Sequence, residues 1–152
     1  MQTGETDPVV RLVIGVGKFT READAAFAAV VRYDLLDHNY PTRAVTSADG
    51  WSFDIPVGPV PVDPRDLEAL AEVDRTLVEL RTEAVRTAAL MPGLEGHVSR
   101  VLAACTNVRR FCTYLDHDDD GRTDSLYPEC VRRLEEAVNV FKEAAAGLRR
   151  GP

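Results

Sequence analysis

Lysine is almost missing from this 152-residue chain: Lys18 and Lys142 stand alone, and the other sixteen of its 18 basic side chains are arginines, set among 25 acids for a net charge of -7. No run of cations forms a stripe. That argues against nucleic acid as a partner, because duplex affinity comes chiefly from Lys and Arg neutralising phosphates. No apolar run approaches the ~20 residues that cross a bilayer, so no membrane partner is expected. The first seven residues lack the basic-then-apolar order of a secretory signal. Cysteine is scarce and odd in number, with Cys105, Cys112 and Cys130 all inside helical patterns. A reduced, cytoplasmic setting is the expectation, with the thiols acting as small buried hydrophobes. What the chain does have is 45% hydrophobic residues, enough for one domain over 1–152 to bury a core without disulfides.

Val9 to Val16 is apolar and largely β-branched, broken by Arg11 and ending at Gly15-Val16-Gly17, which predicts a strand buried on both faces. Thr20 caps a helix running to about His38, with Ala23, Phe27, Val30, Val31 and Leu35 on one stripe, and Asn39 with Pro41 stops it. Arg43 to Ser47 and Trp51 to Ile55 flank Ala48-Asp49-Gly50, a hairpin signal, with Trp51 as a sheet-to-helix core anchor. The expected fold is therefore α+β. A small three-stranded sheet with one helix (βαββ, 8–56) leads through a proline-rich connector (57–64) into a three-helix antiparallel bundle (65–149).

The bundle helices are strongly marked. Asp63 caps the first, Pro64 takes its first position, and Leu70, Val73, Leu77, Leu80, Ala84 and Met91 form its seam before Pro92-Gly93. Leu94, Val98, Val101, Cys105, Val108, Cys112 and Leu115 alternate in steps of four and three in the second. Tyr127, Val131, Leu134, Val138, Phe141, Ala145 and Leu148 do the same in the third. One seam on each of three helices leaves a wall open, to be filled by the N-terminal helix or by a second copy of the chain as a homodimer through the bundle.

Between the last two helices runs Asp116-His117-Asp118-Asp119-Asp120-Gly121-Arg122-Thr123-Asp124. Crowded carboxylates repel, and a Ca²⁺ ion with six to eight oxygen ligands relieves that. These residues resemble an isolated EF-hand-like calcium loop over about thirty positions. The resemblance implies side-chain oxygens from Asp116, Asp118 and Asp120, a turn at Gly121, the carbonyl of Arg122, and Asp124 directly or through water. Tyr127 stands where that family's bidentate glutamate would be, and Glu129 follows two residues later, so the implied affinity is weak, ~10⁻⁴ to 10⁻³ M. Without a cation, the same residues make an exposed turn capped by Asp124 or Ser125.

Three further patterns bear on chemistry. Gly15, Gly17, Lys18 and Thr20 sit at the expected strand-to-helix junction, where free N–H groups favour phosphate. It is no Walker A loop, since Phe19 follows the lysine. Arg110 and His117, seven apart, are similar to the Arg and His pair of HEPN-type ribonucleases, which implies a guanidinium and a proton-transfer group at a scissile phosphate. Asp49-Gly50 in a hairpin resembles the metal-binding hairpin of nucleotide cyclases, but Gly15 and Gly17 occupy the place of the acid that family needs.

The function expected from these residues is a non-catalytic cytosolic regulatory or protein-interaction module. It would meet a protein partner or a second copy through the bundle, with Ca²⁺ in the 116–124 loop. The alternative is a phosphodiester-cleaving, HEPN-like ribonuclease or a nucleotide-handling enzyme.

Overall fold

Asp7 starts a helix where a strand was expected. In the computed structural model, which describes residues 7–117 and 123–151, its carboxylate accepts a hydrogen bond from the Val9 amide at 2.9 Å, and Pro8 takes the first helical position. Helix α1 then runs unbroken over Pro8–Asn39. After it come β1 (Thr42–Thr46), β2 (Ser52–Pro56), α2 (Pro64–Leu90), a 3-10 turn (Pro92–Leu94), α3 (Glu95–Phe111), β3 (Asp116–His117), β4 (Thr123–Asp124) and α4 (Tyr127–Arg150).

The α+β expectation, a three-stranded βαββ sheet ahead of three helices, is overturned. Among the described residues there are four α-helices and two separate two-stranded antiparallel hairpins. The run from Val9 to Val16 is the opening of α1, and Thr20 lies inside the helix it was expected to cap. The physical reason is spacing. Val9, Leu12, Val16, Phe19, Ala23 and Ala26 recur every three or four residues, and all are buried. Five β-branched residues and two glycines cost roughly 4 kcal/mol in helix propensity. Burying the four large side chains of that stripe returns roughly 6–12 kcal/mol. A strand would need a sheet to cover it, and β1 and β2 pair only with each other.

Gly15 and Gly17 therefore do not end an element, and each has a different neighbour. A Cβ on Gly15 would lie 2.9 Å from Cδ2 of the buried Leu80, whereas one on Gly17 would meet Arg21 Nη1 at 3.6 Å. At Gly15 the Leu80 side chain of α2 occupies the space a Cβ on α1 would need. Polar ties run along the same seam. Arg11 pairs with Glu83 at 2.7 Å, Lys18 with Glu79 at 3.6 Å, and the buried Thr76 hydroxyl donates to Glu22. Exposed pairs of this kind are each worth about 0–1 kcal/mol, so they set register more than stability.

The helical-bundle expectation holds, and α1 supplies the fourth wall. α2 packs on α1, α3 on α2 and α4 on α3. The ring closes where Arg149 near the end of α4 pairs with Asp7, and where Tyr127 at its start stacks on Phe27 of α1, with centroids 4.5 Å apart and planes 18° from parallel. Phe19, Leu94, Leu134 and Phe141 fill the centre. No helix among the described residues is long and apolar enough to cross a membrane.

Burial stops at Ala29 on α1 and resumes at Val73 on α2. The last ten residues of α1 thus continue about 15 Å beyond the core, at 1.5 Å per residue, beside the first turns of α2. Arg32 bonds Asp66 across this arm at 2.5 Å. The β1–β2 hairpin crowns it.

Replacing Gly15 with isoleucine forces a branched side chain onto Leu80. It should lower stability by about 1–3 kcal/mol in denaturant unfolding followed by circular dichroism. Gly17→Ala, whose Cβ would meet Arg21 Nη1 only at an ordinary contact distance of 3.6 Å, should be neutral or gain up to about 1 kcal/mol. Equal effects at both positions would show that α1 and α2 are not in contact at Gly15.

Candidate functional site

Two features compete as functional surfaces: the acidic loop and the crowned arm. In the loop, β3 and β4 pair so that Asp116 lies opposite Asp124 and His117 opposite Thr123. The Tyr114 hydroxyl donates to Asp116 Oδ1 at 2.8 Å. Ser125 Oγ donates to the Tyr114 carbonyl at 3.1 Å and accepts from the Tyr127 amide at 3.0 Å, so the start of α4 is tied to the chain entering the loop. Asp118, Asp120, Gly121 and Arg122 lie outside the described residues. Helix α3 ends at Phe111, and Asp116 follows it by five residues. Among the described residues no three His, Cys, Asp or Glu side chains gather as a metal group.

Tyr127, at the position where the calcium-loop resemblance places a glutamate, faces the bundle. Its hydroxyl donates to Asp24 Oδ1 at 2.5 Å, and its ring is buried against Phe27. Burial first, then the bond to Asp24, pushes the phenol well above its ordinary value of 10.0. The residue fastens α4 to α1. Its place at the head of the last helix's seam marked it for burial, but not for Asp24 and Phe27, which lie about a hundred positions away.

Gly15, Gly17, Lys18 and Thr20 lie in the interior of α1, where backbone N–H groups are consumed by the helix and no N-terminus is presented. Thr20 Oγ1 donates to the Val16 carbonyl at 2.9 Å, and Lys18 is paired with Glu79. The expected junction is not there. Arg110 sits in the last turn of α3, its guanidinium 5.4 Å from the centre of the Phe111 ring, while His117 belongs to β3. The helical face that a spacing of seven assumed ends between them. The thiols of Cys105, Cys112 and Cys130 are buried and raised above the ordinary value by that burial, Cys105 to about 12. At neutral pH these are packing groups, not nucleophiles.

The arm differs in being apolar and uncovered. Three residues, Ala48 to Gly50, make the hairpin loop: the Gly50 amide donates to the Ser47 carbonyl at 3.0 Å, and Gly50 takes φ +86°. That is a type I turn closed by a left-handed glycine. Register puts Val45 opposite Phe53 and Arg43 opposite Ile55, so Val45, Phe53 and Ile55 share one face and Trp51 extends it. Neither strand packs on a helix. Trp51, expected as a core anchor, is 75% exposed and Phe53 is 51% exposed. The expectation failed because the helix that would have covered the face is part of the bundle. Leu35, Leu36 and Val57 add exposed apolar surface beside the hairpin in sequence.

Charge on the arm has one dominant sign. Between Arg32 and Glu68 there are seven acids (Asp34, Asp37, Asp49, Asp54, Asp63, Asp66, Glu68) and three arginines (Arg32, Arg43, Arg65), a net of -4. Comparison with protein-family models, with curated proteins and with solved structures gives no match to this chain.

Tyr127→Phe should lower stability by about 1 kcal/mol near neutral pH, through loss of a hydrogen bond to a carboxylate. The wild-type phenol is raised by folding, so its contribution is complete below about pH 10 and is lost as pH rises further, when only the unfolded chain ionises there. The variant should show a shallower alkaline decline of stability between pH 9 and 11. An identical decline would place the Tyr127 hydroxyl in water.

Proposed function

We propose that this protein is a non-catalytic interaction module whose contact surface is the arm, and that its partner is a protein segment with apolar side chains flanked by Lys or Arg. The observation that carries this is the uncovered apolar face of the β1–β2 hairpin, with Trp51 and Phe53 in solvent. An isolated two-stranded hairpin is marginal in water and gains stability when its apolar face is covered. Contiguous exposed aromatic and aliphatic surface is the usual mark of an interaction site, and aromatics dominate binding hot spots. The acidic surround selects the partner's sign. A second copy would set acids against acids, whereas a basic partner is steered in.

The same proposal gives the 116–124 loop a weak Ca²⁺ site that fixes the junction between α3 and α4. Its support is the Asp pattern of the sequence, with a backbone register that pairs Asp116 with Asp124.

Trp51 is the sole tryptophan, so its emission reports on the hairpin alone. Titration with a peptide of alternating Leu and Lys should shift that emission to the blue, with affinity falling several-fold between 50 and 300 mM salt. A Leu and Glu peptide should leave it unchanged, and Trp51→Ser with Phe53→Ser should abolish binding of the Lys peptide as read by calorimetry. No shift with the Lys peptide would remove the proposal. Light scattering that finds a dimer broken by the double variant would replace the basic partner with a second copy.

For the loop, 5 mM Ca²⁺ against a dissociation constant of about 0.5 mM should stabilise the fold by about 1.4 kcal/mol. Asp116→Asn with Asp124→Asn should remove most of that gain. An unchanged melting temperature in millimolar Ca²⁺ would eliminate the metal.

A further inference from the structure

The outer face between α3 and α4 contains a hollow of about 490 Å³, a size that suits a small molecule. Ala103, Ala104 and Ala137 leave it room, and Phe111 with Leu126 line its apolar part. Arg100 and Arg133 line this hollow and also a second one of about 320 Å³ that reaches His97 and Val140. The two arginines thus border both hollows, one from each helix.

Their hydrogen-bonding state is what matters. Arg100 has no ion pair or hydrogen-bond acceptor among the described residues. Among the described residues Arg133 donates only through Nε, to Glu129 at 3.2 Å, and neither Nη group has an acceptor. Glu129 lines the first hollow and Glu136 the second, and both are engaged: Glu129 takes two bonds from Arg132, and Glu136 takes one at 3.3 Å. His97 Nδ1 is withdrawn from solvent and has no partner among the described residues. The His97 ring lines the second hollow, but this atom is closed off and offers no direct contact to a molecule lying there. The groove's usable donors are guanidinium groups, from one arginine on each helix, in a chain of net charge -7.

We infer that the α3–α4 groove binds an amphipathic anion, whose carboxylate or phosphate is held by Arg100 and Arg133 near His97 and whose apolar body lies over the alanines toward Phe111 and Leu126. Guanidinium forks suit both oxyanions, often in paired parallel bonds. The apolar lining disfavours a bare inorganic ion and selects a hydrocarbon or aromatic body joined to the charge. This site is separate from the arm and does not depend on the function proposed for it.

Octanoate and octyl phosphate are the probes, with 1-octanol as the neutral control, titrated by calorimetry into the full-length protein. One or both anions should bind and raise the melting temperature, while octanol should not. Binding of octanoate alone identifies a carboxylate ligand, and of octyl phosphate alone a phosphate monoester. Arg100→Ala and Arg133→Ala, both at exposed positions, should each weaken binding by roughly 10- to 100-fold with unchanged circular dichroism. Lys142→Ala, on another groove, should leave it unaltered. Failure of both anions to bind at millimolar concentration overturns the inference, as does equal binding by octanol or undiminished binding by both arginine variants.

Discussion

The contact between Gly15 and Leu80 sets the spacing of α1 and α2, and the rest of the bundle is built on that spacing. With a side chain at Gly15 the two helices would stand farther apart, Phe19 and Ala26 would lose their close cover, and the ties from Arg11, Lys18 and Glu22 to α2 would stretch. Tight packing is sensitive to single methylene groups because protein interiors have crystal-like density. Beyond Ala29 α1 continues to Asn39 without buried residues, tied to α2 by Arg32 and Asp66. The hairpin follows it in sequence, and neither of its strands packs on a helix.

Core and arm divide the apolar side chains of this chain. The core holds its large ones in the bundle half of α1 and α2 and along α3 and α4, where Phe19, Leu134 and Phe141 belong to one buried cluster. Trp51 and Phe53 are outside that cluster and exposed. Apolar surface left in water costs free energy that burial would recover, and this is the ground on which a binding role is proposed for the hairpin. The acids around it are the ground for proposing a basic partner.

Tyr127 links the loop to the bundle. It begins α4, is fixed to Asp24 and Phe27 of α1, and its amide is capped by Ser125, whose hydroxyl also reaches Tyr114 on the other limb of the loop. On the other side of α4, Arg100 and Arg133 line the groove toward α3. α4 thus borders both the acidic loop and that groove.

Several parts of this fold were written into the residues themselves. Asp63 and Pro64 announce α2, the four-three seams from Leu94 and from Tyr127 announce α3 and α4, and Asp49-Gly50 announces the hairpin turn, because capping, periodicity and turn chemistry are local effects. Asp7-Pro8 carries the same capping signal as Asp63-Pro64, and it stands before a β-branched run whose buried positions keep a helical spacing. Local residues cannot say which partner a stripe will find. Only the tertiary structure made Val9 to Val16 helical, by giving it α2 to pack against, and only it left Trp51 in water and sent Tyr127 to Asp24. Those outcomes depend on surfaces brought together from distant parts of the chain, where burial energy exceeds the local preferences that a sequence displays.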